Sequence, residues 1–151
     1  MHAVHIDMLV EMLEIRSTNE KFVMVILLPS GAEKYYSQIK EKVRQTGSGW
    51  VGALYGRQLP IIVFREPDKS FRSQAIILAN EILSIARKFN LQEGWFVGIG
   101  NVCDALEQIR QSYQESLIAT MDTSLAVKYR FYSDVPALSA ISDGKEAKQL
   151  E

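Results

Sequence analysis

Gly94-Trp95-Phe96-Val97-Gly98-Ile99-Gly100, the segment around Ser112-Tyr113-Gln114-Glu115-Ser116, and Tyr129-Arg130-Phe131-Tyr132-Ser133-Asp134 read in succession as strand, helix and strand. The first piece is short, aromatic and β-branched, and its Gly-x-Gly ends a strand in a tight turn toward the helix. In the second, Leu106, Ile109, Tyr113, Leu117 and Met121 recur three or four apart, as one helical face requires. Gly98-Ile99-Gly100 lacks the third glycine of a dinucleotide fingerprint, so the turn explains it without a cofactor.

Upstream, Phe71, Ala75, Leu78, Ile82, Ile85 and Phe89 keep the same spacing and predict a core helix across the sheet. Ser70 is its expected N-cap, after the charged turn Arg65-Glu66-Pro67-Asp68-Lys69, and Asn90 its left-handed end. Trp50 to Tyr55 and Leu59 to Phe64 read as two strands joined at Gly56-Arg57-Gln58, a hairpin in which glycine supplies the positive φ. Pro60, which has no ladder donor, argues for an edge position or a strand start. Ala32 to Thr46 carries Tyr36, Ile39 and Val43 on one face and predicts a helix stopped by Gly47-Ser48-Gly49. Phe22 to Leu28 is an unbroken apolar run bounded by Lys21 and Pro29, expected to be a central strand covered on both faces.

At the start of the chain, Ala3 to Ile15 places Ile6, Leu9, Val10, Met12 and Leu13 on an amphipathic stripe. This N-terminal helix and its connection, residues 1–20, either cover the core or pair with a second copy of the chain, which would make a homodimer. The main domain is expected over residues 21–136, and residues 137–151, with no periodic face, read as a linker or disordered tail. The expected core comprises Ile6, Leu9, Leu13, Val25, Leu27, Ile62, Leu78, Ile82, Ile85, Ile99, Leu106, Ile109, Tyr113 and Leu117.

The order helix, β, α, β, β, α, β, α, β predicts an α+β, ferredoxin-like sandwich: a mainly antiparallel sheet with helices packed on it. A doubly wound parallel sheet is the competing arrangement, disfavoured by the hairpin. The 151 residues, 47% hydrophobic and 23% charged, suffice for one domain with its own core. A net charge of −1 and a pI near 6.1 give no basic footprint, which argues against direct nucleic-acid binding. The single cysteine, Cys103, excludes an internal disulfide and reads as a half-buried thiol near a helix start. No apolar run reaches the length of a membrane span, and no signal peptide is legible, so a cytoplasmic protein is expected.

Gly98-Ile99-Gly100, then Ser112-Tyr113-x-Glu115 with Ser116 where alanine is usual, then Phe131-Tyr132 before Asp134, resembles the C-terminal half of a known domain. It is the degenerate GGDEF-like domain of bacterial transcription regulators of the AraC response-regulator and PucR or CdaR types. The resemblance spans about Phe22 to Asp134 and implies a nucleotide-cyclase-like fold, the ferredoxin-like core with an added terminal strand. It also implies a regulatory or signal-relay role, in two-component or PucR/CdaR fashion. The partners would be the other domains of the same regulator, with the DNA-binding domain outside this chain.

Catalytic diguanylate cyclases of that fold hold two divalent metals with an aspartate at the end of the first strand and acidic residues in the hairpin turn. No carboxylate occurs here from Phe22 to Gly31. Laid on the pattern Arg-Tyr-Gly-Gly-Asp-Glu-Phe, the hairpin reads Leu54-Tyr55-Gly56-Arg57-Gln58-Leu59-Pro60, keeping only the tyrosine and first glycine. No enzymatic activity, metal or cofactor is therefore expected. Tyr55, Gly56, Arg57 and Gln58 form at most a vestigial nucleotide site, in which Arg57 attracts an anion. Two alternatives stay open: a nucleotide cyclase with unusual ligands, and a sensory module binding a nucleotide or metabolite in the vacated cleft.

Other candidate residues favour plain roles. Glu115 is expected to be solvated, and Tyr113 to bury its ring with its hydroxyl bonded at the edge. His2 and His5 beside Asp7 lack a third ligand.

Overall fold

β1 (Lys21–Leu27) is the axis of the molecule, buried along its length except for a half-exposed Leu27. A computed structural model describes residues 20–46, 49–89 and 94–135. The expected N-terminal helix with Ile6, Leu9 and Leu13, the Gly47-Ser48 break, the Asn90 helix end and the tail lie outside the described residues. Because side chains alternate across a strand, Phe22, Met24 and Ile26 enter one apolar cluster while Val23 and Val25 enter another. Both faces of β1 are therefore covered, as its continuous apolar run requires.

β2 (Gly49–Val51), β3 (Gln58–Phe64), β4 (Phe96–Ile99) and β5 (Tyr129–Phe131) complete a sheet of order β2-β3-β1-β4-β5. All neighbours run antiparallel except β4 and β5, which are parallel. This is the expected ferredoxin-like order with one strand added, and it excludes the doubly wound alternative. A 3-10 turn (Ala32–Tyr35) leads into α1 (Tyr36–Thr46), which with α2 (Phe71–Lys88) supplies Ile39, Val43, Leu78 and Ile82 to the larger cluster. α2 starts where expected, its Ser70 side chain accepting from the Ser73 amide at 3.1 Å. α3 (Ile109–Thr120), introduced by a 3-10 turn (Leu106–Gln108), supplies Ile109 and Tyr113 to the opposite face.

Several expectations need correction. The strand read over Trp50 to Tyr55 stops at Val51, and Pro60 lies inside the internal strand β3, not at an edge or a strand start. The amide of Leu28 donates to the Arg57 carbonyl at 2.8 Å, and the alternation of the ladder then makes Pro60 and Val25 a non-hydrogen-bonded pair. The proline nitrogen thus faces β2, where the Gly52 amide donates to the Pro60 carbonyl at 2.8 Å and no donor answers it. The Tyr36 hydroxyl donates to the Gly52 carbonyl instead, at 2.9 Å. The ladder ends there because proline has nothing to give.

Leu106 and Leu117, like Leu27, are half-buried, and Met121 is 73% exposed. Ile77 on α2 and Phe89, which caps its C-terminus, are also exposed. Lys21 does not bound β1 from outside but begins it, fully buried, its ammonium donating to the Asp104 carbonyl at 2.6 Å. The rest of the described core, including Val25, Ile62, Ile85, Ile99 and Ile109, is buried as expected.

Truncating Leu78 or Ile82 to alanine should cost about 2 to 5 kcal/mol in urea unfolding, since both lie under α2 in the main cluster. A loss below about 1 kcal/mol at both would contradict that placement.

Candidate functional site

Two backbone junctions carry the residues singled out from the sequence. The first joins the end of β1 to the hairpin between β2 and β3. Tyr55 and Gln58 exchange amide-to-carbonyl bonds of 3.0 Å each, closing a two-residue turn over Gly56 and Arg57. Gly56 adopts φ 59°, the left-handed region that makes glycine the fitting residue there. Arg57 donates from Nε to the Leu28 carbonyl at 2.7 Å while its own carbonyl accepts from the Leu28 amide. This arginine is the only charged residue in Leu28–Gly31 and Tyr55–Leu59, and part of its guanidinium is committed to backbone.

The second junction joins β4 to α3. Gly98 and Gly100 turn the same way as Phe96, toward α3, while Val97 and Ile99 enter the opposite cluster. A Cβ on Gly98 would collide with the Ser116 carbonyl oxygen, and one on Gly100 with the Ser112 carbonyl oxygen. Neither glycine has a positive φ. The expected tight turn is therefore corrected: the two glycines let a helix backbone lie directly on a strand.

That contact places Ser112 and Glu115 in the ladder between β1 and β4. Met24 faces Ile99, but Lys21 bridges Cys103, so β4's extension carries one extra residue there, a β-bulge around Asn101 and Val102. Such a bulge strands main-chain groups. The Ser112 hydroxyl accepts from the Val23 amide at 3.0 Å and donates to the Asn101 carbonyl at 2.8 Å. The Glu115 Oε1 accepts from the Asn101 amide at 2.9 Å. Glu115 is 8% exposed, so the expectation of a solvated carboxylate is overturned: the bulge needs an acceptor and the helix brings one.

Tyr113 ties the two junctions together. Its ring is buried as expected and its hydroxyl lies 3.5 Å from the Gln58 Oε1. Burial pushes its phenol up to about 12. Burial likewise raises the Cys103 thiol to about 11, with Lys21 pulling the other way, so the half-buried thiol is chemically quiet near neutrality. The same burial lowers Lys21.

The sequence marked Ser112, Tyr113 and Glu115 but not their partners. Asn101, the Val23 amide and the Leu28 carbonyl enter only through the bulge and the hairpin clamp. The available signal was spacing: glycines two apart on a strand, followed by Ser and Glu three apart on a helix. Among the described residues no group of three or more His, Cys, Asp or Glu is arranged to hold a metal. No described helix is long and apolar enough to cross a membrane.

A family model described as a GGDEF-like domain matches residues 3–120. No curated protein and no solved structure matches the chain.

Gly98→Ala should destabilise the fold by about 1 to 3 kcal/mol or more through overpacking, and should speed amide exchange along α3. Gly56→Ala, which meets no atom and strains only its φ, should cost about 1 to 2 kcal/mol and leave α3 exchange unchanged. Wild-type stability in Gly98→Ala would refute the contact.

Both raised acids weaken the fold in alkali. Unfolded Cys103 and Tyr113 release protons near their ordinary values of 9.0 and 10.0, the native groups near 11 and 12, so stability falls as pH rises from 9 to 12. Urea midpoints across that range should drop less steeply in Tyr113→Phe, and native Cys103 should resist a disulfide reagent at pH 8 until unfolded. Equal slopes, together with rapid native labelling, would contradict the burial of both groups.

Proposed function

Because the chain belongs to the GGDEF-like domain family, we propose that it is a non-catalytic signal-relay domain of a bacterial transcription regulator. The regulator would be of two-component or PucR/CdaR type, with a DNA-binding domain elsewhere on the polypeptide. What supports this reading is the hairpin junction. Phosphoryl chemistry between two nucleotides needs carboxylate-held divalent metals to offset the charge that develops, and electrostatic stabilisation of that kind is usually the largest catalytic contribution. Here Leu28-Pro29-Ser30 and Gln58-Leu59 stand where those carboxylates would be, and Arg57 bonds the Leu28 carbonyl. The junction holds its own backbone together and offers no metal ligand set.

The test has two arms. Purified protein incubated with GTP or ATP and Mg²⁺ or Mn²⁺ should release no pyrophosphate and form no cyclic product. Turnover that disappears in an Arg57→Ala, Gln58→Ala double variant would instead make the chain an enzyme. In the second arm, the complete reading frame should encode a helix-turn-helix on the same polypeptide, and a complete gene product without a DNA-binding domain would overturn the transcriptional assignment.

A further inference from the structure

Glu115 has one oxygen that the bulge does not use. Its Oε1 accepts from the Asn101 amide at 2.9 Å, whereas its Oε2 accepts from the Gln111 side chain at 3.3 Å. No described lysine or arginine forms an ion pair with this carboxylate, although Glu115 is 8% exposed. A charge taken out of water without a counter-charge is costly, and buried charges are as a rule paired. The two neutral donors offset part of that cost. The positive end of α3 adds little, because its effect fades within the first turn and Glu115 stands in the second.

Beside this carboxylate is a cavity of about 200 Å³. Buried Ser112 and Glu115 form one wall, Asn101, Val102 and Cys103 of the bulge another, and the exposed Gln108 and Gln111 stand at its rim. No cation lines it. Lys21, which begins β1 beside the bulge, directs its ammonium to the Asp104 carbonyl at 2.6 Å and takes no part in the lining. The side-chain oxygens of Asn101 and Gln111 accept no hydrogen bond from any described residue. One carboxylate among neutral oxygens suits a singly charged ligand. A divalent ion draws on more carboxylates, and among the described residues no group of three or more His, Cys, Asp or Glu is arranged for one. The space exceeds what one water or a bare ion requires, and Val102 with the neutral Cys103 thiol makes one side less polar.

We propose that this cavity binds a primary ammonium group carried on a short carbon chain. The ammonium sits against the Glu115 Oε2, with the side-chain oxygens of Asn101 and Gln111 as its other acceptors, so that three N–H donors meet three acceptors. The carbon chain lies toward Val102. The site is at the opposite end of β1 from the hairpin junction and rests on no part of the relay reading. A ligand there would join the bulge to α3 and supply the charge that Glu115 lacks.

The test is a titration of the whole chain with ethylammonium chloride, replacing sodium chloride at fixed pH and ionic strength and followed by amide NMR. Saturable shifts are expected at residues 101–103 and 108–115, with the amides of residues 55–58 unmoved. Glu115→Gln keeps an oxygen for the Asn101 amide but removes the charge, and should weaken binding about tenfold or more, as loss of a charge-assisted hydrogen bond implies. Should that variant fold poorly, Asn101→Ala leaves the main-chain amide in place and should weaken binding about threefold or more. Tetramethylammonium, equally charged but without an N–H donor, should produce no saturable shifts. Absence of saturable shifts with ethylammonium, equal binding of tetramethylammonium, or affinity unchanged in the variants would overturn the proposal. Potassium binding as tightly as ethylammonium would overturn the amine as the ligand.

Discussion

The approach of α3 to β4 is the constraint on which the rest depends. Two strand positions without side chains, Gly98 and Gly100, bring the carbonyls of Ser116 and Ser112 down onto the sheet. At that distance a serine hydroxyl reaches the main chain of two strands, and Ser112 bonds both the Val23 amide and the Asn101 carbonyl. A helix at the usual separation would leave those groups unanswered in a dry interior, at about 1 to 3 kcal/mol each. The same approach places Glu115 on the Asn101 amide and aims Tyr113 at Gln58. One steric permission thus sets the bulge, the helix and the link to the hairpin.

The opposite side of the sheet obeys a different rule. There, α1 and α2 pack through ordinary apolar side chains, and Phe71 meets Phe22 and Phe131 edge-on at 4.9 and 5.3 Å. The sheet's β2 edge is short because Pro60 ends its ladder and Tyr36 satisfies the carbonyl left over. Short edges offer little backbone for another strand to pair with.

Charge is distributed unevenly between the two ends of this architecture. At the hairpin, Arg57 stands among neutral residues and spends a donor on the backbone. Between α2 and β5, Asp134 holds the Arg72 guanidinium, which lies over the Phe131 ring, and Asp122 holds Arg130.

Local chemistry in the sequence determined the element types, the hairpin at Gly56, the Ser70 cap and the central place of β1, because each follows from periodicity, φ preference or an unbroken apolar run. It also determined that the hairpin carries Gln58 and Leu59 at the two acidic positions of the pattern it resembles, and Arg57 at the second glycine. It misassigned Pro60, because which neighbour a proline nitrogen faces depends on ladder register, set by strands far apart in the chain. It left Glu115 in solvent, because a lone carboxylate on a helix says nothing of an amide fourteen residues away; only the tertiary pairing of Lys21 with Cys103 creates the stranded amide of Asn101 that the carboxylate answers. Gly98 and Gly100 were visible as a pattern, but their meaning was decided by the backbone of α3, since close approach is a relation between two elements and not a property of either.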